Sequence, residues 1–83
     1  MTLHVLLHRD KVALAVATMR PDDILILGAD ALNLVGQSFP TSRVYVLAED
    51  CRQWGITPPT WVLPLTDEEW VEATATAVRV VHW

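Results

Sequence analysis

The fold class of this chain follows from one stretch of its sequence, Arg43-Val-Tyr-Val-Leu-Ala-Glu-Asp-Cys-Arg-Gln-Trp-Gly55. The β-branched and aromatic first half predicts a buried strand, and the acidic residues after it suit the N-terminal end of a short helix from Glu49 to Trp54. In open α/β sheets, ligands and chemistry gather where strands hand over to helices at their carboxyl ends. The only cysteine, Cys51, lies at such a junction. It is therefore a candidate working group as well as a candidate packing residue.

Three further apolar runs outside this stretch read as strands. Continuously apolar runs are typical of strands that are covered on both faces. Together with the strand in the opening stretch, the predicted strands are Leu3 to Leu7, Ile24 to Leu27, Val44 to Leu47 and Trp61 to Leu63.

Helical segments separate these strands. Asp10 to Met19 has apolar residues at helical spacing with Asp10 as a possible cap, and about two helical turns follow Gly28. Thr66 to Glu69 resembles a capping box that starts a terminal helix, which we expect to run to about Val78. A terminal strand is the alternative for the β-branched end of the chain.

Strand and helix alternate throughout, which predicts one α/β domain over residues 1–83. Right-handed crossovers between the strands give a mainly parallel sheet of four or five strands, with helices on both faces in a flavodoxin-like layered fold.

Composition narrows the function classes. The chain has 83 residues and a formal charge of −4, and its six Lys and Arg residues are scattered, so no basic stripe predicts direct nucleic-acid binding. One cysteine cannot form a disulfide framework, and the N-terminal segment is too short and too charged for a signal peptide or a membrane span. We therefore expect a cytoplasmic protein with no membrane contact.

No motif predicts a metal or a cofactor. His4 and His8 would lie on one face of a strand about 13 Å apart without a third ligand, so His4 is expected to be a satisfied or edge-facing histidine. Gly28-Ala29-Asp30 lacks the spacing of a phosphate-binding loop. The carboxylates of Asp67 to Glu69 are explained by a helix start.

The electrostatic effects predicted to act on the Cys51 thiol oppose one another. The helix N-terminus and Arg52 would favour a nucleophilic thiolate, whereas Glu49 and Asp50 oppose it. Cys51 is thus either a buried small hydrophobe, a persulfide acceptor or an incidental surface residue.

Four tryptophans are many for so small a core. Because Trp is enriched at contacts between proteins, Trp54 and Trp83 are candidate interface residues, with packing on the domain's own surface as the alternative. His8 and Arg9, at the end of the first strand, are candidates for the same role, or for loop polarity and capping.

The order of several segments resembles the TusB/DsrH family of DsrE/DsrF-like sulfur-relay proteins. The most specific segment is the strand that ends in Val-Tyr-Val-Leu-Ala-Glu-Asp. The segments that carry the resemblance are Leu7 to Arg9, Asp22 to Leu27, Arg43 to Asp50, Trp54 to Ile56, Leu65 to Asp67, and Trp83.

This resemblance implies a small subunit of a cytoplasmic complex of the TusBCD/DsrEFH type. Such complexes pass persulfide sulfur toward 2-thiolation of tRNA wobble uridine, or act in sulfur oxidation, and their principal sulfur-carrying cysteine lies on a larger paralogous subunit. The implied role is non-catalytic, with DsrE/DsrF-like (TusC/TusD-like) subunits as partners.

The chain departs from many DsrH-type members, which have a cysteine near the end of the first helix. Here that segment reads Ala17-Thr18-Met19-Arg20, so no catalytic residue carries over. Two other functions stay open: a homo-oligomeric interaction module of the same fold, and direct persulfide acceptance by Cys51.

Overall fold

The computed structural model describes all residues, 1–83, as five strands and three α-helices. Short 3-10 helices cover Arg9–Lys11 and Ala29–Leu34. The α-helices and strands, in chain order, are β1 (Thr2–Leu6), α1 (Val12–Thr18), β2 (Ile24–Leu27), β3 (Arg43–Leu47), α2 (Ala48–Trp54), β4 (Leu63–Leu65), α3 (Asp67–Thr76) and β5 (Arg79–His82).

All neighbouring strands pair in parallel, in the order β4-β3-β2-β1-β5. The chain moves from β1 to β4 in one direction and then returns to the other side of β1. The switch point of the sheet is therefore the crevice outside the carboxyl ends of β1 and β5. The predicted α/β class and flavodoxin-like layering are confirmed, with five strands and no antiparallel pair.

Helices cover both faces of the sheet unequally. One face carries the main core, in which side chains from β1, β2 and β3 pack under α1, the 3-10 helix Ala29–Leu34 and α2. The other face has a smaller core of Leu3, Val5 and Ile26, with Trp70 and Ala77 from the α3 region packed against it. The last crossover thus runs over the opposite face, as expected for right-handed connections leading to opposite edges.

Two helix boundaries follow the sequence signals. Gly55 ends α2 at φ +65, the left-handed conformation that glycine adopts readily. At α3, the Thr66 hydroxyl accepts from the Glu69 N–H and the Glu69 carboxylate accepts from the Thr66 N–H, so the predicted capping box is confirmed.

The first and second helical segments differ from expectation in type. The first begins as a 3-10 turn at Arg9, which places Asp10 inside the turn, and no side chain caps it. The second is a 3-10 helix of six residues, which still makes two turns because a 3-10 helix has three residues per turn.

The end of the chain corrects the favoured expectation. α3 ends at Thr76, before Val78, and residues 79–82 form strand β5. Open hydrogen-bonding groups along β1 provide the pairing partner for these β-branched residues, with Val80 in register with Leu3. The terminal strand, the alternative in the sequence, is what forms.

Strand β4 also lies two residues later than predicted, at Leu63–Leu65. The Val62 N–H donates to the Pro59 carbonyl at 3.0 Å and closes a turn over the segment expected to begin the strand. Pro64 then lies in the edge strand, where proline's missing N–H is tolerated.

None of the helices combines the length and the apolar character that are needed to cross a bilayer.

The close packing behind Gly28 makes a specific prediction about stability. A Cβ atom there would lie 2.8 Å from Leu47 Cδ1, 2.9 Å from Asp50 Oδ2 and 2.9 Å from Leu7 Cδ2, whereas one at Gly36 would meet nothing within 4 Å. We expect Gly28→Ala to lower the free energy of unfolding by about 1–2 kcal/mol through overpacking. Urea unfolding measures the change, with Gly36→Ala as the matched control. Equal stability of the two variants would contradict the packing argument.

Candidate functional site

The candidate residues lie at different places on the sheet. His8 and Arg9 follow β1 at the switch point, and the Leu7 N–H donates to the Trp83 carbonyl at 3.2 Å, which brings Trp83 to the same crevice. Trp54 ends α2, a helix of seven residues that leaves the carboxyl edge and so carries Trp54 about 10 Å away from it. The structure therefore brings together His8, Arg9 and Trp83 but not Trp54.

His8 and Arg9 are exposed, but both are partly engaged in local hydrogen bonds. With the Asn33 amide in its hydrogen-bonding orientation, Arg9 Nη1 donates to the Asn33 side-chain oxygen at 3.3 Å. The His8 carbonyl accepts from the Lys11 N–H at 3.0 Å, and the Arg9 N–H donates to Asp30 Oδ1 at 3.0 Å. These bonds fix the loop and leave the imidazole of His8 facing solvent. Whether the two side chains contact a partner stays a prediction.

The Cys51 thiol lies in the main core. Cys51 is 7% exposed and packs in the cluster beneath α2. Burial, and then the negative charge of Asp50, raise the pKa of the thiol above its usual range. The geometry therefore agrees with the packing interpretation, because a buried protonated thiol is a poor nucleophile.

Arg52 does not offset this effect. Its guanidinium pairs with Glu49 on the exposed side of α2, and this ion pair raises the pKa of Arg52. Asp50, in turn, accepts a hydrogen bond from the Ala29 N–H at 2.7 Å and so steadies the left-handed conformation of Ala29, at φ 51. The acidic residues after β3 therefore serve local structure.

Two clefts lie at opposite edges of the sheet and have different linings. A cleft of about 510 Å³ lies between the starts of α2 and α3, and its charged lining consists of three carboxylates and Arg52. It contains neither Cys51 nor any of the candidate interface residues. A second cleft, of about 410 Å³, lies at the amino edge of the sheet beside His4 and Asp23.

The only hydrogen bond between two buried side chains joins His4 in β1 to Asp23, the residue just before β2. His4 is fully buried, and its Nε2 lies 2.9 Å from Asp23 Oδ2. Asp23 also accepts from the N–H groups of Thr2 and Arg20, each at 2.9 Å. Burial by itself would raise the pKa of Asp23, but the hydrogen bonds from His4, Thr2 and Arg20 outweigh it and lower the pKa from 3.8 to about 2.

Trp83 completes this arrangement from the other end of the sequence. Its Nε1 lies 3.1 Å from His4 Nδ1, and the two rings are nearly parallel, at 11°, with their centroids 6.2 Å apart. The indole also packs against the main core. Trp83 is thus held by its own domain, as in the packing alternative, while a contact with another subunit stays a prediction.

The expectation that His4 is satisfied is confirmed, but its two partners, Asp23 and Trp83, were not predicted from the sequence. A single histidine in an apolar strand was the available signal, because a buried polar group needs a partner. The carboxylate just before the neighbouring strand was the nearest such partner.

No three of the His, Cys, Asp and Glu side chains come together as metal ligands. Trp54 and Trp61 are 56% and 75% exposed, so they are the tryptophans available on the surface.

No family model matches this chain, and no curated protein is significantly similar to it.

The Asp23 network makes a prediction about stability and its pH dependence. An amide at position 23 cannot accept from all three donors, so we expect Asp23→Asn to cost about 2 kcal/mol of unfolding free energy at pH 7. Because the folded-state pKa of Asp23 is lowered, its stabilisation is present above about pH 4 and is lost as the pH falls to about 2.

Urea unfolding at pH 7, 4 and 2.5 measures both effects. The difference between the wild type and Asp23→Asn should shrink over the acidic range. Asp22→Asn, which changes the exposed neighbouring carboxylate, is the control and should have little effect. A difference that is constant down to pH 2.5 would show that the carboxylate charge is not what stabilises the network.

Proposed function

We propose that this chain is a non-catalytic subunit of a cytoplasmic sulfur-relay complex of the TusBCD/DsrEFH type. It would support persulfide transfer toward 2-thiolation of tRNA wobble uridine or toward sulfur oxidation. The observation that carries the non-catalytic role is the burial of Cys51, the only sulfur nucleophile of the chain, with a raised pKa. The assignment to a sulfur-relay pathway rests on the resemblance of the segment Val44 to Asp50 to the TusB/DsrH family.

A chain without an accessible nucleophile would serve a relay through its contacts. The partners proposed are paralogous DsrE/DsrF-like subunits, one of which would carry the reactive cysteine. The chain's own contribution would then be to complete the assembly and position that subunit.

The uneven cover of the sheet supports a need for partners. Five strands span about 19 Å between the outer strand axes, whereas a single helix is about 10 Å wide. On one face α3 is the only helix, and none of its residues is buried. Parallel sheets normally have both faces covered, so a subunit that covers the rest of this face would complete the usual layering.

Exposed side chains away from the face that carries α3 provide additional surfaces for contacts with partners. His8 and Arg9 lie at the switch point with exposed side chains, and Trp54 presents a large apolar surface at the end of α2. Trp is prominent among residues that dominate binding energy at interfaces. These three residues are the proposed docking positions. Trp83 lies in the same crevice as His8 and Arg9 and would support their position by packing on its own domain.

The first test is native mass spectrometry of this chain, alone and coexpressed with DsrE/DsrF-like proteins encoded near it. We expect a mixed complex with two kinds of larger subunit. Trp54→Ala should weaken it by at least about tenfold in dissociation constant, the loss expected for an interface tryptophan. Trp61→Ala is the matched control, since Trp61 is exposed but outside the proposed docking positions.

Two results would count against this proposal. A stable homo-oligomer that ignores those neighbours would favour the independent interaction module. Equal weakening by the two tryptophan variants would remove Trp54 from the docking surface.

The role of Cys51 is tested separately, in a reconstituted relay with labelled persulfide sulfur. Cys51→Ala keeps a small apolar side chain in the core, and we expect transfer to continue at the wild-type rate with no label on the wild-type Cys51. Circular dichroism checks that the variant folds. If transfer stops while the complex still assembles, Cys51 is a direct sulfur acceptor and the subunit is catalytic.

A further inference from the structure

The ring of His4 is held from both sides by groups that fix where its proton lies. An indole N–H can only donate, so the contact of Trp83 Nε1 at 3.1 Å requires His4 Nδ1 to accept and to carry no proton. The proton of the neutral ring then lies on Nε2, which donates to Asp23 Oδ2 at 2.9 Å. Docking of the Trp83 indole therefore depends on a neutral His4.

We propose that His4 and Trp83 form a proton-controlled latch, in which protonation of His4 at Nδ1 releases the indole of Trp83 from its docked position. The proton comes from solvent, and no bond between heavy atoms changes. Once Nδ1 carries hydrogen, two N–H groups face each other across the former hydrogen bond. The attraction that holds the indole is replaced by repulsion.

Asp23 makes the charged ring tolerable in this buried place. Its carboxylate stays in contact with Nε2, so the imidazolium has a counter-charge, and the added proton goes to the nitrogen that Trp83 uses. The neighbours of His4 in register, Leu25 on β2 and Val81 on β5, are apolar. Asp23 is the only titratable side chain that is hydrogen-bonded to the ring.

The remaining charged groups line the cleft at the amino edge. They are the amino group of Met1 and the side chains of Arg20, Asp22 and Arg79. Both arginines are exposed, where solvent and salt screen their charge, whereas Asp23 is 3% exposed and in direct contact. Asp23 is therefore the charged group with the largest effect on His4, and its carboxylate favours protonation of the ring. Lowering the pH thus favours release of the indole.

The release involves the side chain alone. The backbone of Trp83 donates to the Val5 carbonyl at 2.8 Å and its carbonyl accepts from the Leu7 N–H, and neither bond involves the imidazole. The freed indole stays tethered at the switch point beside His8. This property belongs to the isolated chain, so its test does not depend on the proposed sulfur relay.

Two-dimensional ¹H–¹⁵N NMR of the full chain between pH 8 and pH 5, where histidines ordinarily titrate, tests the latch. The indole N–H signal of Trp83 is the one absent from Trp83→Phe. We expect it to move toward the positions of the exposed indoles of Trp54 and Trp61 as the pH falls. The movement should follow the midpoint of the His4 ring signals.

Linkage supplies a second readout, which a purely structural contact would not move. Because docking of the indole opposes protonation, its removal in Trp83→Phe should raise the midpoint of the His4 titration by several tenths of a pH unit. His82→Gln is the control, since His82 is exposed and adjacent to Trp83 in sequence. It should leave both titrations unchanged.

Four outcomes would overturn the proposal. The first is an indole signal that stays in place across this range while the chain remains folded. The second is a titration that disappears in His82→Gln. The third is a His4 midpoint that is unchanged in Trp83→Phe. The fourth is a loss of dispersion of the core amide signals at the same midpoint, because a latch frees the indole without unfolding the sheet.

Discussion

The buried carboxylate of Asp23 is the constraint on which the amino edge of the sheet depends. Its oxygens accept from Thr2 at the start of β1, from Arg20 in the turn after α1, and from His4 inside β1. Its backbone carbonyl accepts from the hydroxyl of Thr41, just before β3. Through His4 the network also reaches the end of β5, so one residue links four of the five strands.

Such a network selects one register of the sheet. A buried carboxylate without partners is costly, and shifting β1 by one residue along β2 would turn His4 to the opposite face and leave Asp23 without its imidazole donor. No buried side-chain nitrogen or oxygen in the structure lacks a hydrogen-bond partner. Since Leu3, Val5 and Leu6 would fit several apolar pairings equally well, the polar contacts distinguish the native register from its neighbours.

Local signals were predictable from the sequence, and long-range ones were not. The capping box at Thr66 and the end of α2 at Gly55 depend on residues three or four apart, and both were predicted. The docking of Trp83 on His4 joins residues 79 positions apart, and strand β5 exists because β1 has an open edge. A β-branched segment after a helix does not reveal whether such an edge is free.

The candidate site shows the same division. The sequence placed Cys51 at a strand-to-helix junction and gave opposing electrostatic effects, but could not show which face of α2 the thiol occupies. The packing of α2 against the main core decides this, because it turns Cys51 inward and Arg52 outward toward Glu49. His8 and Arg9 were placed at a strand end correctly, while their position at the switch point required the strand order.

The burial of the thiol also bears on how sulfur could move through an assembly. Because Cys51 is only 7% exposed, local opening of α2 is the main way for a donor to reach its thiol, and each 1.4 kcal/mol of opening free energy reduces the reactive population about tenfold. The raised pKa of the thiol lowers the thiolate fraction further, in the same direction. In the proposed relay, a surface cysteine on a partner would need no local opening and would have no burial-raised pKa. Transfer between partner thiols would therefore be faster than a route through Cys51. In the relay proposed above, this chain would act through its exposed residues at the switch point and at the end of α2 rather than through its thiol.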